Sequence, residues 1–311
     1  MVSEEIVGLR FVRLRGPRGR VAVGVVAGDE VGVLEADDMV ATLQAGELPE
    51  ATERIALLDR QACTVAEPWS LLAPLIPPET WAAGVTYERS REARVHESDV
   101  ADVYDRVYGA ERPELFLKDA AGHRTVGPGG PIAARADASW TVPEPELAVV
   151  LGDDGVPLAV TIGNDVSSRD IEGANPLYLP QAKIYAGACA LGPALLAPVD
   201  WGVPFDIELR IRGPGDETVF EGQTSTASMR RSIDELIEFL CRDNPVPAGT
   251  VLLTGTGVVP PDGVTLTHGQ SVEITIPRIG TLRNPVAPTR SSPARTARAS
   301  SAQPHEEAAH A

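Results

Sequence analysis

The chain of 311 residues is 43% hydrophobic and 23% charged, a globular composition with length for one large domain or two unequal ones. With 44 acidic and 27 basic residues its formal charge is -17, which lacks the basic footprint of a nucleic-acid binder. Cys63, Cys189 and Cys241 are far apart and form no C-x-x-C pair, so neither a zinc cage nor a disulfide framework is expected and a reducing compartment fits.

The opening segment, MVSEEIVGLR, is acidic and lacks the apolar stretch of a signal peptide. No apolar run approaches the roughly 20 residues of a membrane span, so a cytoplasmic protein with no membrane partner is expected. Residues 6–35 read as short strands, IVGLRFVRL, RVAVGVVA and EVGVLE, separated by Gly and charged turns. DDMVATLQAG and ATERIALLDRQA read as short helices. The Pro-rich joint LLAPLIPPETW sets a boundary near residue 72, making residues 1–72 a small β-rich N-terminal domain and 73–287 the main body. Residues 87–108, dense in charge, read as helical; ELFLK, ELAVVLG, PLAVTIGN, FDIELRIR, TVLLTG and SVEITI read as strands. Ser232 and Glu235 form a capping box ahead of Ile233, Leu236, Ile237 and Leu240, whose spacing makes one buried helical face. Residues 288–311 are poor in bulky apolar residues and read as a disordered tail. Many strands and few helices give an α+β, mostly β architecture; no dinucleotide fingerprint and no P-loop is present.

Four short stretches carry chemistry. Glu144 and Glu146 are two apart at the head of an apolar strand, so they share a face, where adjacent carboxylates repel unless a cation or protons intervene. A solvated strand edge is the other reading. Asp165 ends the next apolar strand and completes an all-oxygen set of the kind that selects Mg²⁺, Ca²⁺ or Mn²⁺ over zinc; a turn or helix cap is its ordinary role. Lys183 sits among small and apolar neighbours, where desolvation would push its pKa down toward that of a general base, unless the side chain snorkels to water. Thr254-Gly255-Thr256-Gly257 follows a β run and offers small hydroxyls and close backbone for a carboxylate, or a plain tight turn. Cys189, in AGACALGPAL, reads as a packed thiol, and Arg169 and Asp170 as a possible internal pair.

Taken together, Glu144-Pro145-Glu146, Asn164 to Asp170, Gln181-Ala182-Lys183, Thr254-Gly255-Thr256 and the close Ile279 to Val286 resemble the fumarylacetoacetate hydrolase family. The resemblance implies a mixed β-roll, a homodimer, Mg²⁺ or Mn²⁺ on Glu144, Glu146 and Asp165, and a substrate whose 2-keto carboxylate chelates the metal. It carries over Lys183 as the catalytic or substrate-contacting lysine and Thr256 as a carboxylate contact, with Ser90, Gln181 and Arg169 as further substrate contacts. Hydrolases of the family carry N-Y-x-x-H-x-x-E, whose His and Glu activate water; three on from Tyr87 stands Ser90, and His96 is out of register and reads as surface.

TYERSREAR, VYGAERPELFLK, SWTVPEPELAVV and SSRDIEGANPLYLPQAK resemble one branch in particular, the 2-keto-3-deoxy-pentonate dehydratases of pentose oxidation, which make 2,5-dioxopentanoate. In that branch the Glu of P-E-L-F, here Glu114, acts near the substrate. The implied reaction has a metal stabilising the enolate, Lys183 as base at C3 and Glu114 as acid for the C4 hydroxyl. Cleavage or decarboxylation of acylpyruvate-type acids is the second reading, and a binding protein that kept the fold without catalysis the third.

Overall fold

The computed structural model describes residues 8–45, 47–97 and 101–288. Strands β1 (Leu9–Arg15), β2 (Val21–Ala27) and β3 (Glu30–Leu34) form an antiparallel meander, followed by α1 (Met39–Gln44), where the Asp38 carboxylate accepts from the Ala41 N–H at 3.0 Å. The next element corrects the sequence expectation. ATERIALLD, expected to be helical, is strand β4 (Ala51–Asp59), paired antiparallel with β3. Its buried side chains, Ile55 and Leu57, are two apart, the period of a strand, and the edge of β3 offers unpaired backbone groups that outweigh helix propensity.

The main body follows as β5 (Glu79–Gly84), α2 (Glu88–Glu97), α3 (Ala101–Gly109) and β6 (Glu114–Ala120), then β7 (Pro145–Leu151), β8 (Pro157–Asp165), α4 (Arg169–Ala174), α5 (Leu179–Lys183) and β9 (Cys189–Ala197). It closes with β10 (Asp206–Arg212), β11 (Thr218–Ser225), α6 (Ile233–Cys241), β12 (Val251–Leu253), β13 (Ser271–Ile276) and β14 (Gly280–Pro288). The helical stretch expected over 87–108 is α2 and α3, with 98–100 outside the described residues. Of the tail expected at 288–311, Pro288 ends β14 and the rest lies outside the described residues.

A thirteen-stranded sheet runs β4-β3-β2-β1-β9-β8-β7-β12-β5-β6, with short flanking strands, and a five-stranded sheet runs from Ile132–Ala134 through β14-β13-β10 to β11. The large sheet crosses the division expected near residue 72: β1 pairs with β9, from Leu9↔Ala197 to Phe11↔Leu195. Strand β7 is buried on both faces. Leu147, Val149 and Leu151 pack toward Ile207, Leu209 and Ile274 of the small sheet, and Ala148 and Val150 join the opposite core with Leu191 and Leu253. This two-sided burial explains why ELAVVL reads as an unbroken apolar run. The α6 cap forms as expected, Ser232 Oγ accepting from the Glu235 N–H at 3.1 Å, and Leu236, Ile237 and Leu240 are buried.

Candidate active site

Antiparallel pairing of β7 with β8, Glu146 opposite Gly163, brings the start of one strand beside the end of the other. The Asp165 N–H donates to the Glu144 carbonyl at 3.0 Å, and the Glu144 N–H donates to Asn164 Oδ1 at 3.2 Å. Glu144, Glu146 and Asp165, all buried, therefore converge, each with a carboxylate oxygen within 4.8 Å of the others.

The electrostatics of the three are unequal. Burial alone would raise Glu144, but Lys183, Arg94 and Arg169 outweigh it and hold it well below the ordinary carboxylate range. Glu146 is pushed well above that range by burial and by repulsion from Asp165 and Glu144, opposed by the Gly255 N–H, which donates to its Oε2 at 2.5 Å. A buried, oxygen-only set in which repulsion and burial outweigh the cationic compensation of one carboxylate fits a hard divalent cation such as Mg²⁺.

Two lysines face the cluster. Lys183, at the end of α5, donates to Glu144 Oε2 and Asp165 Oδ2, both at 3.0 Å, and to Ser167 Oγ at 2.6 Å. The lowered pKa expected for it is corrected: burial lowers it, but Asp165, Glu144 and Glu172 outweigh burial and raise it above the usual lysine value. The sequence reading saw an apolar neighbourhood; the fold supplies carboxylates from distant strands. Lys118 of β6, fully buried, lies 2.5 Å from Asp165 Oδ1 and donates to the Val166 carbonyl at 3.0 Å.

Ser90, Glu114, Lys183 and Thr256 join Glu144 and Asp165 in lining one cavity, which has barely the room that one water molecule needs. Glu114 opens β6 directly opposite Gly84 of β5; a Cβ at Gly84 would lie 2.0 Å from Glu114 Oε2, so the glycine makes the space this carboxylate occupies. Burial, followed by repulsion from Glu172, pushes Glu114 up to about 7. Gly255 has φ +93°, and a Cβ there would meet Thr86 Oγ1 at 2.0 Å. The loop is pinned to β7 by Thr254, whose Oγ1 donates to the Leu147 carbonyl at 2.9 Å. Thr256 Oγ1 is engaged with the Val258 backbone at 3.2 Å. Ser90 Oγ donates to the Tyr87 carbonyl at 2.8 Å.

Two expected contacts lie elsewhere. Gln181 is exposed, and its carbonyl accepts from Arg135 at 3.0 Å. Arg169 is buried, 3.2 Å from Glu144 Oε1 and paired with Glu97; Asp170 instead accepts from Ser139. His96 is exposed, 3.0 Å from Asp262, and Cys189 is buried, its thiol pushed up to about 12 by burial. A groove of about 720 Å³ lined by Trp69 and Arg283 holds none of the carboxylates or lysines of this cluster. Residues the sequence reading passed over are Lys118, Arg94, Glu97 and Glu172. A signal existed: Glu114, Phe116 and Lys118 alternate along a strand, and Ser90, Arg94 and Glu97 fall on one helical face.

Residues 81–287 match the fumarylacetoacetate (FAA) hydrolase C-terminal family, and the chain belongs to that family. It is 50% identical over 224 residues to 2-dehydro-3-deoxy-D-arabinonate dehydratase of Saccharolobus solfataricus, covering 70% of this chain and 74% of that one. It is 46% identical over 245 residues to a probable 2-keto-3-deoxyxylonate dehydratase of Haloferax volcanii, covering 78% and 81%. The solved structure of 2-keto-3-deoxy-D-arabinonate dehydratase complexed with magnesium and 2,5-dioxopentanoate superposes with a TM-score of 0.80 at 38% identity, over 91% of this chain and 100% of that one.

Proposed function

We propose that the protein is a Mg²⁺-dependent hydro-lyase that dehydrates a 2-keto-3-deoxy-pentonate to 2,5-dioxopentanoate in pentose catabolism. The observation that carries this is the cavity itself. Glu144 and Asp165, next to Glu146, share it with Lys183 and a Glu114 poised near neutrality, while Ser90 and Ala93 stand on α2 where hydrolases of the family place His and Glu.

In this reading Glu144, Glu146 and Asp165 hold the ion, which when bound supplies Lewis acidity toward a 2-keto carboxylate. Lys183 Nζ, on the cavity wall, moves the proton at C3; Asp165 and Glu144, two of the three carboxylates that raise its pKa, are assigned to the ion, whose charge opposes their effect. Glu114, protonated up to near neutral pH, gives its proton to the departing C4 hydroxyl, so that water leaves. Tautomerisation of the remaining unsaturated alcohol yields the C5 aldehyde. Thr256 and Ser90 are assigned to substrate binding by their place on the cavity wall; Gln181 and Arg169, carried over by the family motif, are not on that wall.

No helix among the described residues is long and apolar enough to cross a membrane. We assign the protein to the cytoplasm as a homodimer, a state that light scattering of the purified protein measures.

The test is an assay of 2-keto-3-deoxy-arabinonate and 2-keto-3-deoxy-xylonate with Mg²⁺ and with EDTA, reading 2,5-dioxopentanoate through a coupled aldehyde dehydrogenase. Metal-dependent product is expected from at least one epimer. No product from either, with pyruvate released from an acylpyruvate, would replace this reading with C–C hydrolysis.

A further inference from the structure

Helix α2 carries two charged side chains into the protein, Arg94 and Glu97, neither of them among the proposed metal ligands, acid–base groups or substrate contacts. The Arg94 guanidinium, 8% exposed, places Nη2 at 2.8 Å from Glu144 Oε1, Nε at 3.3 Å from Glu172 Oε1 and Nη1 at 3.4 Å from Glu97 Oε2. Arg169, from α4, reaches the same two oxygens: Glu144 Oε1 at 3.2 Å and Glu97 Oε2. Arg94, Glu144, Arg169 and Glu97 thus close a ring of ion pairs, with two guanidiniums held between two carboxylate oxygens. Both arginines take Glu144 Oε1, whereas the Lys183 ammonium takes Oε2.

We propose that Glu97 and Arg94 are positioning residues that fix Glu144 as a one-oxygen ligand, locking Oε1 so that Oε2 is the atom offered to the cation. The proposal rests on the assignment of Glu144 as a ligand made above. A guanidinium is planar and permanently charged, so it holds a carboxylate oxygen in direction as well as in distance. Glu97 is not itself on the cavity wall, which Arg94 helps to line; it acts by anchoring both guanidiniums from behind. At one end of α2 the water-activating pair of the family's hydrolases is replaced, and one face of the same helix instead organises a carboxylate of the metal cluster.

Sign and magnitude follow. Glu97→Gln keeps the side chain's size and removes its charge. The arginines then bear harder on Glu144 and lose their anchor, and both effects weaken cation binding. Loss of a partner of this kind lowers metal affinity by about 10- to 100-fold.

The experiment is isothermal titration calorimetry of Mg²⁺ into wild-type, Glu97→Gln, Arg94→Lys and Glu144→Gln protein, with melting temperatures in EDTA. A rise in Kd of about tenfold or more is expected for Glu97→Gln. Arg94→Lys, whose single point charge cannot span three carboxylates, is expected to show the same direction and serves if Glu97→Gln does not fold. A wild-type Kd in the folded variant, with only the melting temperature lowered, would make the ring purely structural and overturn the proposal. Glu144→Gln separates the two readings. If it binds Mg²⁺ like wild type, the ligand assignment itself fails; if it loses Mg²⁺ while Glu97→Gln keeps it, the ring alone does.

Discussion

Glu114 shows how a residue's chemistry is set by its neighbours rather than by its type. Its carboxyl is raised from 4.5 to about 7 by burial and by Glu172. The native state therefore binds this proton more tightly than the unfolded chain does. The stability linked to it is complete below about pH 4.5 and is lost as pH rises through about 7. Urea midpoints of the wild type should fall over that window relative to Glu114→Gln, and a wild-type profile parallel to the variant's would remove the shift. In its proposed role as the acid for the C4 hydroxyl, Glu114 should also set an alkaline limb of kcat/KM near neutrality, absent from the residual activity of Glu114→Gln. Lys183→Ala and Glu114→Ala should each lower turnover by about 10² to 10⁴; near-normal kcat in either would take that residue out of its role. The cluster of Glu144, Glu146 and Asp165, proposed as ligands, and the residues Lys183, Glu114, Ser90 and Thr256 on the cavity wall were legible in the sequence, because motif spacing survives without coordinates. The partners of Glu144 were not: Arg94 lies 50 positions away and Lys183 lies 39, and nothing in local spacing links them.

Among the elements, β5 and β6 decide where the acid sits. Register places Gly84 opposite Glu114, and the space of the missing side chain takes the carboxylate. Gly84→Ala should displace Glu114 and reduce kcat by about 10² or more while Mg²⁺ binding persists. Wild-type kcat in this variant would show that the carboxylate has another way to lie. The same scale explains β4. Ile55 and Leu57 bury at strand period because β3 presents an open edge, whereas the residues alone allowed a helix. Helix α6 went the other way: its cap and its apolar face are local properties, and they agree with the folded result.

At the scale of the whole molecule, one large sheet passes through both the N-terminal strands and the carboxylate-bearing strands. A cation that binds only the folded arrangement stabilises all of it. Mg²⁺ at 100 times its Kd should add about 2.7 kcal/mol, visible as a melting temperature several degrees higher than in EDTA. Glu146→Ala should abolish that difference, and a full metal complement in Glu146→Ala by elemental analysis would refute its place as a ligand. By itself the sequence determined the strand-rich class and the family and pointed to the acidic set of Glu144, Glu146 and Asp165, because these depend on side-chain type and short spacing. Only the tertiary structure decided that Lys183 has its pKa raised rather than lowered, that Arg169 stands behind Glu144, and that Gln181 faces outward. Those properties depend on which distant charges share a buried volume. A one-dimensional pattern fixes the face a residue occupies within its element, but packing fixes what that face meets.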